Sequence, residues 1–332
     1  MAEVGAANAT GDGRLFSICA PRNKLESWDL KLETRGVRLR KITIIGVGLL
    51  GGSIGLAVKR RKLVPAGGIA GFVRRTASLN DCEKAGAVDF ATTDLLAAVW
   101  DTDLVILCTP LAQMRPRVEE MLPALKRGAI VTDVGSVKAS VVRELESLVA
   151  KAGAHFVGSH PMAGAEKTGV GAANADLFRN AVCVVTPTKK SNPAAVRRVE
   201  QFWKSLGART LRLAPAQHDL LVSRSSHLPH VVAATLASHI LHPAQPKQQA
   251  VLCANGFRDT TRIASGSPEM WRDIALANRK NLAGSLDAFI SDLQRFRRAV
   301  ARADAKTITT FFETAKQRRD DWCAGCASPS PE

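Results

Sequence analysis

Short apolar runs, each closed by glycine, proline or a small polar residue, recur from residue 41 to residue 215. "KITIIGVG" (41–48) is followed by "GGIAGFV" (67–73), "DLVILCTP" (103–110), "AIVTDVG" (129–135), "AHFVGSH" (154–160), "AVCVVTP" (181–187) and "RTLRLAP" (209–215). Such runs read as strands buried on both faces. Between most of them apolar positions fall at helical spacing, as in "LLGGSIGLAVKRRK", "QMRPRVEEMLPALKRG" and "VKASVVRELESLVAKAG". Strand alternating with helix predicts an α/β fold with a doubly wound, mostly parallel sheet. Beyond residue 215 the pattern changes. "HDLLVSRSSHLPHVVAATLASHIL", "EMWRDIALANRKNLAGSLDAFISDLQRFRRAVARA" and "AKTITTFFETAKQRRDDW" are all helix-patterned, and no strand-like run follows. The expected organisation is an N-terminal extension without fixed structure (1–39), a sheet domain (40–215), an all-helical domain (216–320) and a short tail (321–332). Long apolar-faced helices outside the sheet suggest a homodimer built through the helical domain.

Composition narrows this picture. The chain has 332 residues, enough for two domains with sizeable cores. No apolar run is long enough to span a membrane, and the first 40 residues lack the apolar centre of a secretory signal, so a cytoplasmic protein is expected. The net charge of +16 raises the question of nucleic acid. The cations are spread along the chain, Tyr is absent, and few aromatics remain to stack bases, so no nucleic-acid partner is expected. A basic surface also attracts small anions. Seven scattered cysteines fit no disulfide framework. Cys323 and Cys326 form a CxxC in "DDWCAGCASPSPE", but no second pair accompanies them, and no metal is expected.

"GVGLLG" places Gly46, Gly48 and Gly51 in GxGxxG spacing, with Leu50 inside the turn, after the first strand and opening the first helix. The first glycine permits the tight turn, the second lets a pyrophosphate approach the backbone, and the third lets helix and strand pack closely. The sheet domain is therefore expected to be of Rossmann type and to bind a dinucleotide, with Thr109 and Pro110 of "CTP" also at the cofactor. About 20 residues further on, an NAD-binding fold places an acid to hold the adenosine ribose. Here "FVRRT" offers Arg74, Arg75 and Thr76 and no acid. Guanidinium groups attract the 2′-phosphate that an acid would repel, so NADP is expected over NAD. The competing reading is that both arginines are solvated surface.

Further stretches gather at strand ends and at the start of the helical region: "DVGSVK" (133–138), "GSHPMAGAEKTGV" (158–170), "SHLPH" (226–230) and "GFRDTTRIASGSPEMWRDI" (256–274). Carboxyl ends of parallel strands are where doubly wound folds bind ligands, so Thr109, Ser136 and His160 are expected to converge there. Together these stretches resemble the prephenate/arogenate dehydrogenase family of tyrosine biosynthesis, over about residues 40–320. The resemblance implies NAD(P)-dependent oxidative decarboxylation of a cyclohexadienol by an oxidoreductase with a helical dimerisation domain. It assigns His160 as the catalytic histidine on the ring 4-hydroxyl and Ser136 as the serine touching that hydroxyl and the histidine. It makes Arg262 a carboxylate anchor and His230 a substrate-side histidine. His227, Glu166 and Trp271 match positions lining the pocket, and Asp259 one supporting it. His155, His218, His239 and His242 carry no functional expectation.

The chemistry wants these residue types. Hydride removal leaves a developing carbonyl, so the hydroxyl proton must go, and a neutral histidine with an ordinary pKa near 6.5 can take it. A bidentate arginine can orient a carboxylate. "HLPH" favours prephenate, because a charged second histidine would oppose the ammonium of arogenate. "FVRRT" and "GFRDT" look like NADP-linked arogenate members, which keeps arogenate or dual cyclohexadienyl use as the alternative. A reductase of the β-hydroxyacid type would want a lysine in the helical domain where "VLCANGFRDTTRIA" has none. A redox-sensing NADP-binding regulator without turnover would not need Ser136, His160 and Arg262 together.

Overall fold

The computed structural model describes residues 39–164 and 168–326. The expected extension at residues 1–38, Glu166 and the last six residues lie outside them. Eight strands form one sheet: β1 (Ile42–Ile45), β2 (Ile69–Phe72), β3 (Phe90–Thr92), β4 (Leu104–Leu107), β5 (Ile130–Asp133), β6 (His155–Pro161), β7 (Val182–Thr186) and β8 (Arg209–Arg212), in spatial order 3-2-1-4-5-6-7-8. All neighbours are parallel except β6 and β7. β1, β2, β4 and β5 are buried at every position, which is why they read as unbroken apolar runs.

Helices cover both faces. α1 (Leu49–Arg60), α2 (Ala77–Lys84), α3 (Leu95–Val99), α4 (Leu111–Met121), α5 (Ala139–Lys151) and α6 (Pro193–Ser205) alternate with the strands. One apolar core joins β1 to α1 and α6 through Ile44, Ile54, Phe178, Trp203 and their neighbours. The other joins β4 and β5 to α3, α4 and α5 through Leu107, Met114, Val118 and Leu145. The helical region follows: α7 (Pro215–Val222), a π-helical turn (Ser223–His227), α8 (Leu228–Ile240), α9 (Lys247–Val251), α10 (Asn255–Thr261), a 3-10 turn (Arg262–Ser265), α11 (Pro268–Ala277), α12 (Arg279–Ala301) and α13 (Ala305–Cys326).

Two features depart from the sequence reading. β3 was not foreseen; it has three residues, begins at the exposed Phe90, and is held by pairing with β2, by the buried Ala91 and by the Ala91 N–H donating to Glu83 of α2 at 3.3 Å. The expected tail at 321 is helical as far as Cys326. Pairs one turn apart carry α13 onward: Lys316 donates to Asp320 at 2.6 Å, Gln317 donates to Asp321 at 2.8 Å, and Arg319 lies over the Trp322 ring. No described helix is long and apolar enough to cross a membrane.

Candidate active site

The strand order lines up the candidate residues along one sheet edge. Arg74, Arg75 and Thr76 follow β2 and are exposed. Gly46 and Gly48 follow β1, Thr109 and Pro110 follow β4, Ser136 follows β5, and His160 stands near the end of β6. Four strand spacings of ~4.8 Å put roughly 19 Å between the ends of β2 and β6.

The glycine turn is built for close approach. Gly46 has φ +98°, and a Cβ there would meet the Cys108 carbonyl at 2.9 Å and Thr109 at 3.3 Å. A Cβ on Gly51 would sit 2.2 Å from the Gly46 carbonyl, so Gly51 is fixed by packing. Gly48 faces open space and caps α1 with no side chain, leaving amide N–H groups for an anion. Thr109 Oγ1 is buried with no hydrogen-bond partner among the described residues. An open amide cradle beside a buried hydroxyl fits a dinucleotide pyrophosphate, which Gly46, Gly48, Leu50 and Gly51 would hold with Thr109 and Pro110 alongside.

β6 explains how His160 is presented. Its first residues pair with β5 in parallel, and residues 158–161 pair with β7 antiparallel, His160 opposite Val184. The strand thus continues past the end of β5 and carries His160 beyond the parallel edge. Beneath it, Ser159 is tied in on all sides. Its N–H donates to Asp133 Oδ1 at 3.1 Å, its Oγ donates to the Asp133 carbonyl at 2.6 Å, and Trp203 Nε1 donates to its Oγ at 3.0 Å. Lys138 Nζ donates to the Ser159 carbonyl at 2.8 Å and forms an ion pair with Asp133 in which both side chains are fully buried. Burial lowers the Lys138 pKa, with Asp133 opposing. The two charged ends of "DVGSVK" therefore clamp the loop that carries the half-buried Ser136.

His160 is itself buried, and its Nδ1 lies 2.9 Å from Nε2 of His218. His218 Nδ1 lies 2.8 Å from Asp219 Oδ1. Burial first, then unfavourable electrostatics with His218, Lys138 and His227 should His160 gain a proton, hold the His160 pKa well below 6.5, lower than the ordinary value expected from sequence. His218, expected to be structural only, is therefore joined directly to the candidate base. Nothing in "AQHDLL" marks it, because its partner lies 58 residues away and only the fold brings them together.

The helical side contributes a second cluster. The His230 ring stacks on Trp271 with centroids 3.9 Å apart, and His227 lies edge-on to Trp271 at 6.1 Å. Trp271 Nε1 lies over Gly266, where a Cβ would be 2.5 Å away. Arg262 opens the 3-10 turn that packs on α8, the helix that carries His230. Asn278 donates through Nδ2 to the Asp219 carbonyl at 2.8 Å and to His227 Nδ1 at 3.2 Å, while its Oδ1 accepts from Asn281. That leaves the His227 proton on Nε2, a buried atom that makes no close hydrogen bond among the described residues. Burial pulls the His227 pKa down to about 4, while Asp219 and the Ser136 backbone push the other way. His230 donates from Nδ1 to the Ser226 carbonyl at 2.9 Å, and burial lowers its pKa too. Among the described residues no group of three His, Cys, Asp or Glu could hold a metal.

Comparison with known proteins decides the family. The profile of the prephenate dehydrogenase nucleotide-binding domain matches residues 54–212, and that of the prephenate dehydrogenase dimerization domain matches residues 214–316. The chain belongs to the prephenate dehydrogenase family. It is 37% identical to prephenate dehydrogenase of Bacillus subtilis over 84% of this chain and 75% of that one. It is 34% identical to cyclohexadienyl dehydrogenase of Zymomonas mobilis over 84% and 95%. A crystal structure of prephenate dehydrogenase from A. aeolicus, in complex with hydroxyphenyl propionate and NAD+, superposes with a TM-score of 0.79 at 30% identity, covering 85% of this chain and 98% of that one. As a member of the prephenate dehydrogenase family the chain is an oxidoreductase with a nucleotide-binding domain and a helical dimerisation domain.

Proposed function

We propose that the chain catalyses the NADP-dependent oxidative decarboxylation of prephenate to 4-hydroxyphenylpyruvate, as a homodimer formed through its helical domain. The observation that carries this reading is the order along the sheet edge: arginines after β2, the glycine turn after β1, Thr109 after β4, Ser136 after β5 and His160 on β6. That order runs from a 2′-phosphate site through a pyrophosphate cradle to a buried base, as an extended dinucleotide next to its substrate requires.

A bound dinucleotide supplies the hydride acceptor for C4 of the ring. His160 takes the proton of the 4-hydroxyl at Nε2 as the carbonyl develops, and Ser136 holds the same oxygen. The ring carboxylate leaves as CO2, its bonding electrons pass through the ring to the C4 oxygen, His160 returns the proton from Nε2 to that phenolate, and aromatisation drives the step without a metal. Arg262 anchors a substrate carboxylate, and His227 lines the pocket beside it. His230 and Trp271 form the wall beside the side chain.

Arogenate is the second reading, and burial, which lowers the His230 pKa, leaves it open. A neutral His230 does not repel the arogenate ammonium, which removes the electrostatic ground for excluding that substrate. The deciding assay follows reduced nicotinamide by absorbance, with prephenate or arogenate and with NADP or NAD. Rapid NADP reduction with prephenate supports the first reading; turnover of arogenate alone supports the second; no turnover of either removes both. In the same assay, Arg74→Ala with Arg75→Ala is expected to raise KM for NADP at least about tenfold, the loss of two charge-assisted contacts, and to leave NAD nearly unchanged. Equal effects on both dinucleotides would show that the arginines are not the 2′-phosphate site.

A further inference from the structure

Asp219, the second residue of "HDLL", touches more than His218. Its Oδ1 accepts from the Lys138 backbone N–H at 2.7 Å, and its Oδ2 accepts from the Ala139 N–H at 2.9 Å. These are the first amides of α5, whose N-cap residue offers no side-chain cap. A carboxylate from α7 therefore caps a helix about 80 residues earlier in the chain, at the end of the loop that carries Ser136. With N–H donors on both oxygens, Asp219 is held as an acceptor.

The proton positions follow. A neutral His218 places its one proton on Nδ1 to donate to Asp219, so its Nε2 is an acceptor. The neighbouring atom, 2.9 Å away, is Nδ1 of His160, which must then be the donor. A neutral His160 has no second proton, and its Nε2 is left as a lone pair. The groups facing His160 from the elements around it are His218 and Asp219 on α7, Lys138 and Asp133 at the ends of the β5–α5 loop, and His227 at the end of the π turn.

We infer that Asp219 and His218 are positioning residues that lock the catalytic histidine in its Nδ1–H tautomer, and that the same carboxylate fixes the Ser136 loop, so that base and serine are set by one group from the helical region. This rests on the proposed role of His160 as the base. Without the lock, His160 can carry its proton on Nε2 and cannot accept one from the substrate.

The test uses the full chain labelled with nitrogen-15 histidine, with His160 signals assigned by their loss in His160→Asn. At neutral pH the parent shows His160 protonated at Nδ1 alone. His218→Phe removes the acceptor, so Nε2 protonation appears in the spectrum. Turnover falls at least about tenfold, part of the roughly 10²–10⁴-fold a general base contributes, while dinucleotide affinity stays within about twofold. His218→Gln, whose side-chain oxygen can accept from Nδ1–H, restores the Nδ1–H signal and most of the rate. An unchanged His160 signal in His218→Phe overturns the inference, as does a parent spectrum with the proton on Nε2. If His218→Phe does not fold, the parent spectrum and His218→Gln still decide. The spectra need no substrate: if the parent turns over neither prephenate nor arogenate, the functional reading fails while the tautomer lock is still judged.

Discussion

Replacing His160 with asparagine is expected to lower kcat at least about 100-fold while dinucleotide binding is retained. Asparagine keeps an N–H where the imidazole has Nδ1, so it can still donate to His218, and it has nothing at the position of Nε2. The substitution therefore removes the proposed base and leaves the buried contact largely intact. The proposed dinucleotide cradle is the turn after β1, next to the arginines' strand and three strands from the imidazole, so titration of the cofactor by fluorescence should give the parent value. Near-parent turnover would show that another group takes the proton. The pH profile adds a second check. The base works only when unprotonated, and burial holds the His160 pKa well below 6.5. Activity should therefore persist as pH falls through 6.5, and kcat/KM should be lost only at lower pH. An acid limb centred at or above pH 6.5 would contradict the buried, neutral base.

Lys138→Met is expected to destabilise the fold by about 3–5 kcal/mol. The ammonium and the Asp133 carboxylate are both fully buried, so removing the cation strands an anion between β5 and β6. The Ser159 carbonyl also loses its donor. For a domain of this size the thermal midpoint should fall on the order of 10 °C, read by circular dichroism. Adding Asp133→Asn should recover part of that loss, because the stranded charge disappears; losses that simply add would show that the pair is not coupled. An unchanged midpoint for Lys138→Met would mean that the lysine is not needed to neutralise the site.

The alternation of strand and helix, the glycine turn and the helical second half were legible because each is a local pattern. β1, β2, β4 and β5 are buried throughout and announce themselves as apolar runs. β3 did not, since three residues with one exposed phenylalanine carry no periodicity. The antiparallel turn of β7 was hidden for a related reason: a strand's direction depends on the path of its connection, not on its own residues. At the site, His160 stands out in "GSHPMAG", but the sequence offers no hint that it is buried against a second imidazole. "DVGSVK" drew attention to Ser136, whereas the structure gives Asp133 and Lys138 an equal share in shaping that loop. His218, Asp219 and Asn278 escaped notice because their bonds join segments 51 to 81 residues apart. Such bonds depend on chain crossings that no local spacing encodes.

β6 changes partners midway, from β5 on one side to β7 on the other. The residues around His160 are thus stitched into the interior sheet instead of hanging from a surface loop. Local fraying cannot expose them; only opening of the β6–β7 ladder, and with it much of the core around Trp203, can do so. Backbone amides beside the proposed base should then exchange with solvent as slowly as those of the central strands, and loss of the site would coincide with loss of the fold rather than precede it.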